Sequence, residues 1–323
     1  MATAPAADLE SQARTIVRRS GGVDRLVYLI VLAAASSIFL ITCLLVYNLW
    51  ADSALPRHKF GWNFLITSTW DPVNEQYGAL PFAFGTLATS LVALIISVPI
   101  GLGAAIFLAE LAPRRLSDAL TFLIELLAAV PSVIYGLLGI FLLIPFLQNV
   151  IVPPLKQSLG FLPIFSGPFY GVSVFSASIV LALMIVPFII SVSREVLLSV
   201  PADQREAALA LGATKWESTW KVVVPFARNG IFGSVFLALA RALGETMAVT
   251  MVIGNTPQIK ASLLAPGYSI AAVIANEFAE ATSEMYQQSL IEMGLVLFAI
   301  TIVINGLARL LILTTGGGAG ARH

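Results

Sequence analysis

Charge is scarce in this chain. Of its 323 residues only 11% are Asp, Glu, Lys or Arg, against about 25% in an ordinary soluble domain. The two signs balance at eighteen each, which leaves no basic excess of the kind that marks a nucleic-acid binder, and none is expected as a partner. Cysteine occurs once, as Cys43 inside an apolar run, so no disulfide framework and no thiolate metal site can form within the chain. Histidine occurs twice, as His58 and His323, far apart and without neighbouring ligands. No metal and no cofactor are expected. No G-x-x-x-x-G-K-[ST] phosphate loop is present, so any ATP hydrolysis must come from another polypeptide. No catalytic residue stands out, and the chain does not read as an enzyme.

Apolar residues, by contrast, make up 58% of the sequence, with a mean hydropathy of +0.90. Such a chain uses lipid as its solvent, and an all-α integral membrane bundle with about six crossings is predicted. Residues 1–24, with Arg14, Arg18 and Arg19, read as a polar flexible tail. Leu26–Trp50 is the first crossing, too long for the apolar region of a signal peptide. Ala51–Leu80 is a polar loop carrying Trp62, Trp70 and Tyr77, aromatics that favour a membrane interface. Pro81–Leu111 is the second crossing, followed by a tight basic turn at Pro113-Arg114-Arg115. Leu116–Val152 is too long for one straight crossing, and Pro131 and Pro145 are expected to kink or break it. Pro153–Gly171 is a Pro/Gly-rich loop with room for a re-entrant turn. The fourth crossing is Val172–Leu198, the fifth Asn229–Asn255, and the sixth Ser289–Leu313, with a mixed loop over Thr256–Gln288 and a glycine-rich tail over Gly316–His323.

The distribution of Lys and Arg orients this arrangement. With the N-terminus inside, thirteen basic residues fall on the cytosolic side and four, Arg57, Lys59, Lys156 and Lys260, on the other. Both termini are then cytosolic, and so is the long polar insert Pro201–Pro225. The opposite loops carry Asp52, Asp71, Glu75, Glu277, Glu280 and Glu284, a poor trap for a free anion, which points to delivery by a carrier protein.

The insert reads PADQREAALALGATKWESTWKVVVP. Pro201 suits a first helical turn, and Ala207 to Leu211 continue as good helix formers. Gly212 is placed to end that helix in a left-handed turn. Thr214 and Glu217 have the spacing of a capping box that opens a second helix. Two short helices at an angle are predicted, with small residues at the bend where another protein can approach closely. An ordinary amphipathic loop would share most of these features.

One basic residue is left inside the membrane. Arg241 lies near the middle of the fifth crossing, where a charge costs about 2.5–3.5 kcal/mol on insertion scales. Glu245 follows four residues later, on the same helix face, where the two can neutralise each other when the site is empty. Two readings fit. In one, Arg241 lines a translocation path and meets an anion, for which its planar fork of donors is suited. In the other, the pair only locks helices or subunits together. Glu125, Ser132, Tyr135, Thr246, Asn255 and Glu292 are weaker polar candidates, since residues of these types also join membrane helices.

The spacing Glu206-Ala207-Ala208, three residues, Gly212, nine residues, Val222-x-Val224-Pro225 resembles the EAA loop of ABC-transporter permeases, departing from it only by valine at its Ile and Leu positions. The segment RALGETMAVTMVIGN at 241–255 is similar to the fifth helix of phosphate-specific importer permeases, as are stretches 84–113 and 128–141. Trp70-Asp71-Pro72, Gly78-Ala79-Leu80-Pro81 and Ser193-Arg194-Glu195-Val196 resemble the PstC-type subunit in particular. The resemblance covers roughly residues 60 to 312. It implies a type I importer permease whose loop, through Glu206, Ala207, Ala208, Gly212 and Pro225, docks on an ATPase. It further implies a homologous second permease (PstA-type), a cytosolic ATPase dimer (PstB-type) and an extracytoplasmic phosphate-binding protein (PstS-type). Sulfate, molybdate or phosphonate are alternative cargoes for the same machinery. An ion-coupled secondary transporter would leave the loop motif unexplained, and a membrane enzyme acting on lipid phosphates would need carboxylate or histidine clusters that are missing.

Overall fold

The computed structural model describes residues 6–316, with side chains from 24 to 310. Residues 1–5 and 317–323, the outer parts of the two expected tails, lie outside the described residues. The described chain is almost entirely helical, and six helices are long and apolar enough to cross a membrane. The expected number of crossings is therefore met.

Helix α1 (Ala6–Ala51) is a unit by itself. It starts well before the apolar run that marks the first crossing, so the segment read as a flexible tail is helical from Ala6 onward. Ala, Leu, Glu, Gln and Arg there are all good helix formers, and no proline interrupts them.

From Ser53 onward the chain forms a second unit. It opens with two short helices, α2 (Ala54–Phe60) and α3 (Asn63–Ile66). The Trp70-Asp71-Pro72 segment then forms a tight turn. Asp71 accepts from the backbone N–H groups of Val73 and Asn74 and from the Asn74 amide. The Asn74 side-chain bond leads in holding this carboxyl below the ordinary aspartate range. Helix α4 (Leu80–Leu111) is the second crossing.

The expected third crossing is two helices. α5 (Arg114–Ala128) ends in front of Pro131, whose backbone is extended, and α6 (Ser132–Leu159) follows. Pro131 thus breaks the chain, because its ring and missing N–H cannot continue a helix. Pro145 does not break α6. It sits between two π-helical turns, Gly139–Leu143 and Leu147–Ile151, where the widened turn makes room for the ring. The Pro/Gly-rich loop after α6 includes one 3-10 turn, Pro163–Phe165, and hydrogen-bonds to the 262–263 segment of the later loop.

Helix α7 (Val174–Leu198) is the centre of the unit. Of its most apolar stretch 72% is buried within the protein, against 33% for α4, so the other crossings of this unit are arranged around it. After α7 come α8 (Ala202–Ala210), α9 (Lys215–Leu243), α10 (Met247–Ile253), α11 (Ile270–Glu277) and α12 (Glu284–Gly316). α9 packs on α7 through a buried Ser193–Ser234 hydroxyl pair 2.7 Å apart, the kind of polar contact that joins helices where both sides are apolar.

At the end of α4 away from the 201–225 loop, Thr86 accepts from the backbone N–H of Ile270 at 2.9 Å. One residue earlier, Gly85 lies against Tyr268, and a Cβ built on Gly85 would stand 2.1 Å from the Tyr268 carbonyl oxygen. Gly85→Ala is therefore expected to destabilise the protein by about 1–3 kcal/mol through overpacking. A thermal melt of the detergent-solubilised protein checks this, and an unchanged midpoint would show that this contact is slack.

Candidate substrate path and coupling loop

The 201–225 loop is built locally. Pro201 is extended and α8 begins directly after it. Gly212 has φ +86, in the left-handed region. Its N–H donates to Leu209 O at 2.9 Å, and that of Ala213 to Ala208 O at 3.1 Å, the two bonds of a Schellman motif. Thr214 accepts from Glu217 N, and Glu217 Oε2 accepts from Thr214 N at 3.0 Å, so the expected capping box is formed. The second helix differs from expectation. It is not a short element but the start of α9, which runs through a π-helical turn at Thr219–Val223 into the fifth crossing without a stop. Pro225 lies two residues past that turn, where its missing N–H is tolerated.

Glu206 and Ala207 are exposed, Ala208 is half-buried, and Gly212 is exposed. Leu211, at the tip, is 91% exposed. A shallow groove runs between Ala208, Leu211 and Ala213 on one side and Glu217 and Lys221 on the other. Leu211 and this groove are open to solvent.

The second candidate group departs from its sequence reading in one respect. α9 ends at Leu243, and residues 244–246 separate it from α10. Arg241 is thus in the last helical turn rather than mid-helix, and Glu245 lies beyond the helix end. The two do not form an ion pair among the described residues. The Arg241 guanidinium instead lies over the Phe188 ring of α7, 5.8 Å from its centroid, within cation–π range. Glu245 Oε1 accepts from the backbone N–H of Ala248 at 3.1 Å and so caps the start of α10. Arg241 and Gly244 are exposed and Glu245 is half-buried. The fork of Arg241 is left free for a planar or tetrahedral oxyanion, with its charge at a helix C-terminus where a cation is favoured.

The weaker candidates divide. Tyr135 donates to Leu127 O at 2.8 Å across the break before Pro131, and Asn255 donates to Thr250 O at 3.0 Å. Both are used locally. Glu292 is buried at 6% exposure with one oxygen unpartnered, and it does not adjoin Arg241 in sequence or in any contact of the structure. Phe188 was not visible as a partner from sequence, since a phenylalanine after Pro187 in an apolar run carries no distinguishing signal.

Apolar crossings packed around α7, with a capped loop at one end and a guanidinium at a helix break, are the features of an integral membrane protein with a path for a polar solute. Residues 97–315 match the family described as binding-protein-dependent transport system inner membrane component, and the chain belongs to that family. It is a multi-pass membrane protein and the non-catalytic membrane component of an ABC system, working with a separate ATPase and a binding protein. Three similar proteins are each called phosphate transport system permease protein PstC. That of Mesorhizobium japonicum is 43% identical over 94% of both chains. That of Xylella fastidiosa is 48% identical over 78% of this chain and 79% of its own. That of Pasteurella multocida is 49% identical over 83% of this chain and 84% of its own. Among solved structures, a chain of the MetNI methionine ABC transporter in an inward-facing form is 16% identical, with a TM-score of 0.54 over 76% of this chain and 99% of that one. That likeness concerns the fold alone.

Proposed function

We infer that this chain is the PstC-type permease subunit of an ATP-driven importer of inorganic phosphate. The observation that carries the reading is the 43–49% identity to proteins of that name across 78–94% of the chain. The free guanidinium of Arg241 at the helix break supports it, because such a group can meet an oxyanion in a fork of two hydrogen bonds. A PstA-type permease forms the other half of the path. A PstB-type ATPase dimer docks on Glu206, Ala207, Ala208, Gly212 and Pro225, and a PstS-type protein delivers phosphate at the opposite side. The loop and both termini are cytosolic, in keeping with the excess of Lys and Arg there. ATP binding closes the ATPase dimer, the loop helices carry that motion into the crossings, and the path opens outward. Phosphate enters and Arg241 offsets its charge as water is lost. Hydrolysis resets the path. Glu245 shapes the same break by capping α10.

The test is ATP-driven uptake of labelled phosphate by proteoliposomes holding the full complex, with unlabelled sulfate, molybdate and phosphonate as competitors. Uptake that requires ATP and yields to unlabelled phosphate but not to the other anions is the expected result. Stronger competition by one of the others would reassign the cargo, and uptake without the ATPase would overturn the mechanism.

A further inference from the structure

Arg205 stands one residue before Glu206, yet its side chain turns away from the exposed face of the loop. Its Nη2 donates to Glu110 Oε1 at 2.8 Å and its Nε to the two Glu110 oxygens at 3.1 and 3.2 Å. Nη2 also donates to Leu197 O at 2.7 Å, and Nη1 to Val200 O. Glu110 lies in the π-helical turn that ends α4, Leu197 lies in the last turn of α7, and Val200 lies two residues past its end. One guanidinium therefore ties α8 to the ends of two crossings. The side chains of Arg205 and Glu110 are only 23% and 11% exposed, so the pair is shielded from water and salt, unlike an ordinary surface ion pair.

The setting makes this bond matter. α8 contains no buried residue, so no apolar side chain anchors it in the core. A short helix without a buried face depends on its polar links, besides its chain connections and its packing on the start of α9, to move with α4 and α7. Both carbonyls that Arg205 meets lie at or just past the C-terminal end of α7, where a cation is favoured. The arrangement is stiff because the fork is planar and all its partners are fixed.

We propose that Arg205 and Glu110 form the clamp through which displacement of the loop is passed to the crossings α4 and α7. This rests on the reading of the loop as the ATPase dock. Arg205 and Glu110 are positioning residues: they touch neither phosphate nor ATP. If the clamp opens, the loop follows the ATPase while α4 and α7 lag behind. Hydrolysis then continues with less transport.

The experiment compares wild type, Arg205→Gln, Glu110→Gln and the double variant as full complexes in proteoliposomes. Phosphate imported per ATP hydrolysed is measured in the same vesicles. Each single variant is expected to lower that ratio about tenfold, within the usual range for coupling between sites. The double variant is expected to lower it no further, because the two residues act as one unit. Arg205→Lys, which keeps the charge but not the fork, should fall between. An unchanged ratio, with hydrolysis and import falling together, would make the clamp merely structural and overturn the proposal. Additive losses in the double variant would do the same. A separate arm tests the dock: Ala208→Cys with Cys43→Ser is cross-linked in the assembled complex. Failure to cross-link to the ATPase would bring down the dock and the clamp together. Cross-linking with an unchanged ratio would remove only the clamp.

Discussion

Replacing Arg241 by Gln is expected to lower ATP-driven phosphate uptake by about 10- to 100-fold, the loss of one or more hydrogen bonds from a charged donor of about 1.5–3 kcal/mol. Glutamine keeps polarity and approximate length but removes the charge and the fork. Among the described residues the guanidinium bonds to no carboxylate, so its removal leaves no buried anion behind there, and assembly should survive. It lies over Phe188, a contact worth about 0.5–1 kcal/mol when exposed, too little to govern folding. Uptake is read together with complex yield. Unchanged uptake would show that the intramembrane arginine is structural. Glu245→Gln should have a smaller effect, since an amide oxygen can still accept from Ala248 N–H.

The second large effect is expected at Gly212. Its φ of +86 suits glycine, and a side-chain residue there costs about 1–2 kcal/mol, most for a β-branched one. Space is not the obstacle, because a Cβ at Gly212 would meet nothing within 4 Å. Gly212→Val should therefore leave the crossings folded while it opens the turn and redirects α8. Uptake and co-purification of the ATPase should both fall about tenfold or more, whereas Gly212→Asn, which tolerates the left-handed region, should keep most of both. Equal loss with Asn and Val would point to contact with the glycine surface itself rather than to the turn.

These two sites were not equally legible. The loop was readable because its signals are local. Pro201, Gly212, and Thr214 with Glu217 each act within a few residues, and the Schellman motif and capping box are where those residues demand. Pro131 was readable for the same reason. At Pro145 the choice between kink and break was not readable, because the flanking π-helical turns that keep the helix going are announced by no local residue. The helix end at Leu243 was missed. A lone glycine such as Gly244 in an apolar run is compatible with continuation of the helix, so it does not announce the end. The Arg205–Glu110 contact joins residues 95 positions apart, and no single sequence fixes which of many charges meet at that distance. Membrane packing hides such pairs further, because every face of these crossings is apolar and periodicity no longer marks the inside.

The gap between Leu243 and Met247 changes what binding requires. Had Arg241 and Glu245 been locked together on one continuous helix, an anion would engage only the fraction of molecules in which that pair had opened. Its apparent dissociation constant would rise in inverse proportion to that fraction. With the carboxylate occupied by the Ala248 N–H and the guanidinium resting on an aromatic face, no internal competitor has to leave first. Under the role proposed for Arg241, an arriving anion would meet the guanidinium at its full intrinsic affinity, with none of it spent on opening an internal pair.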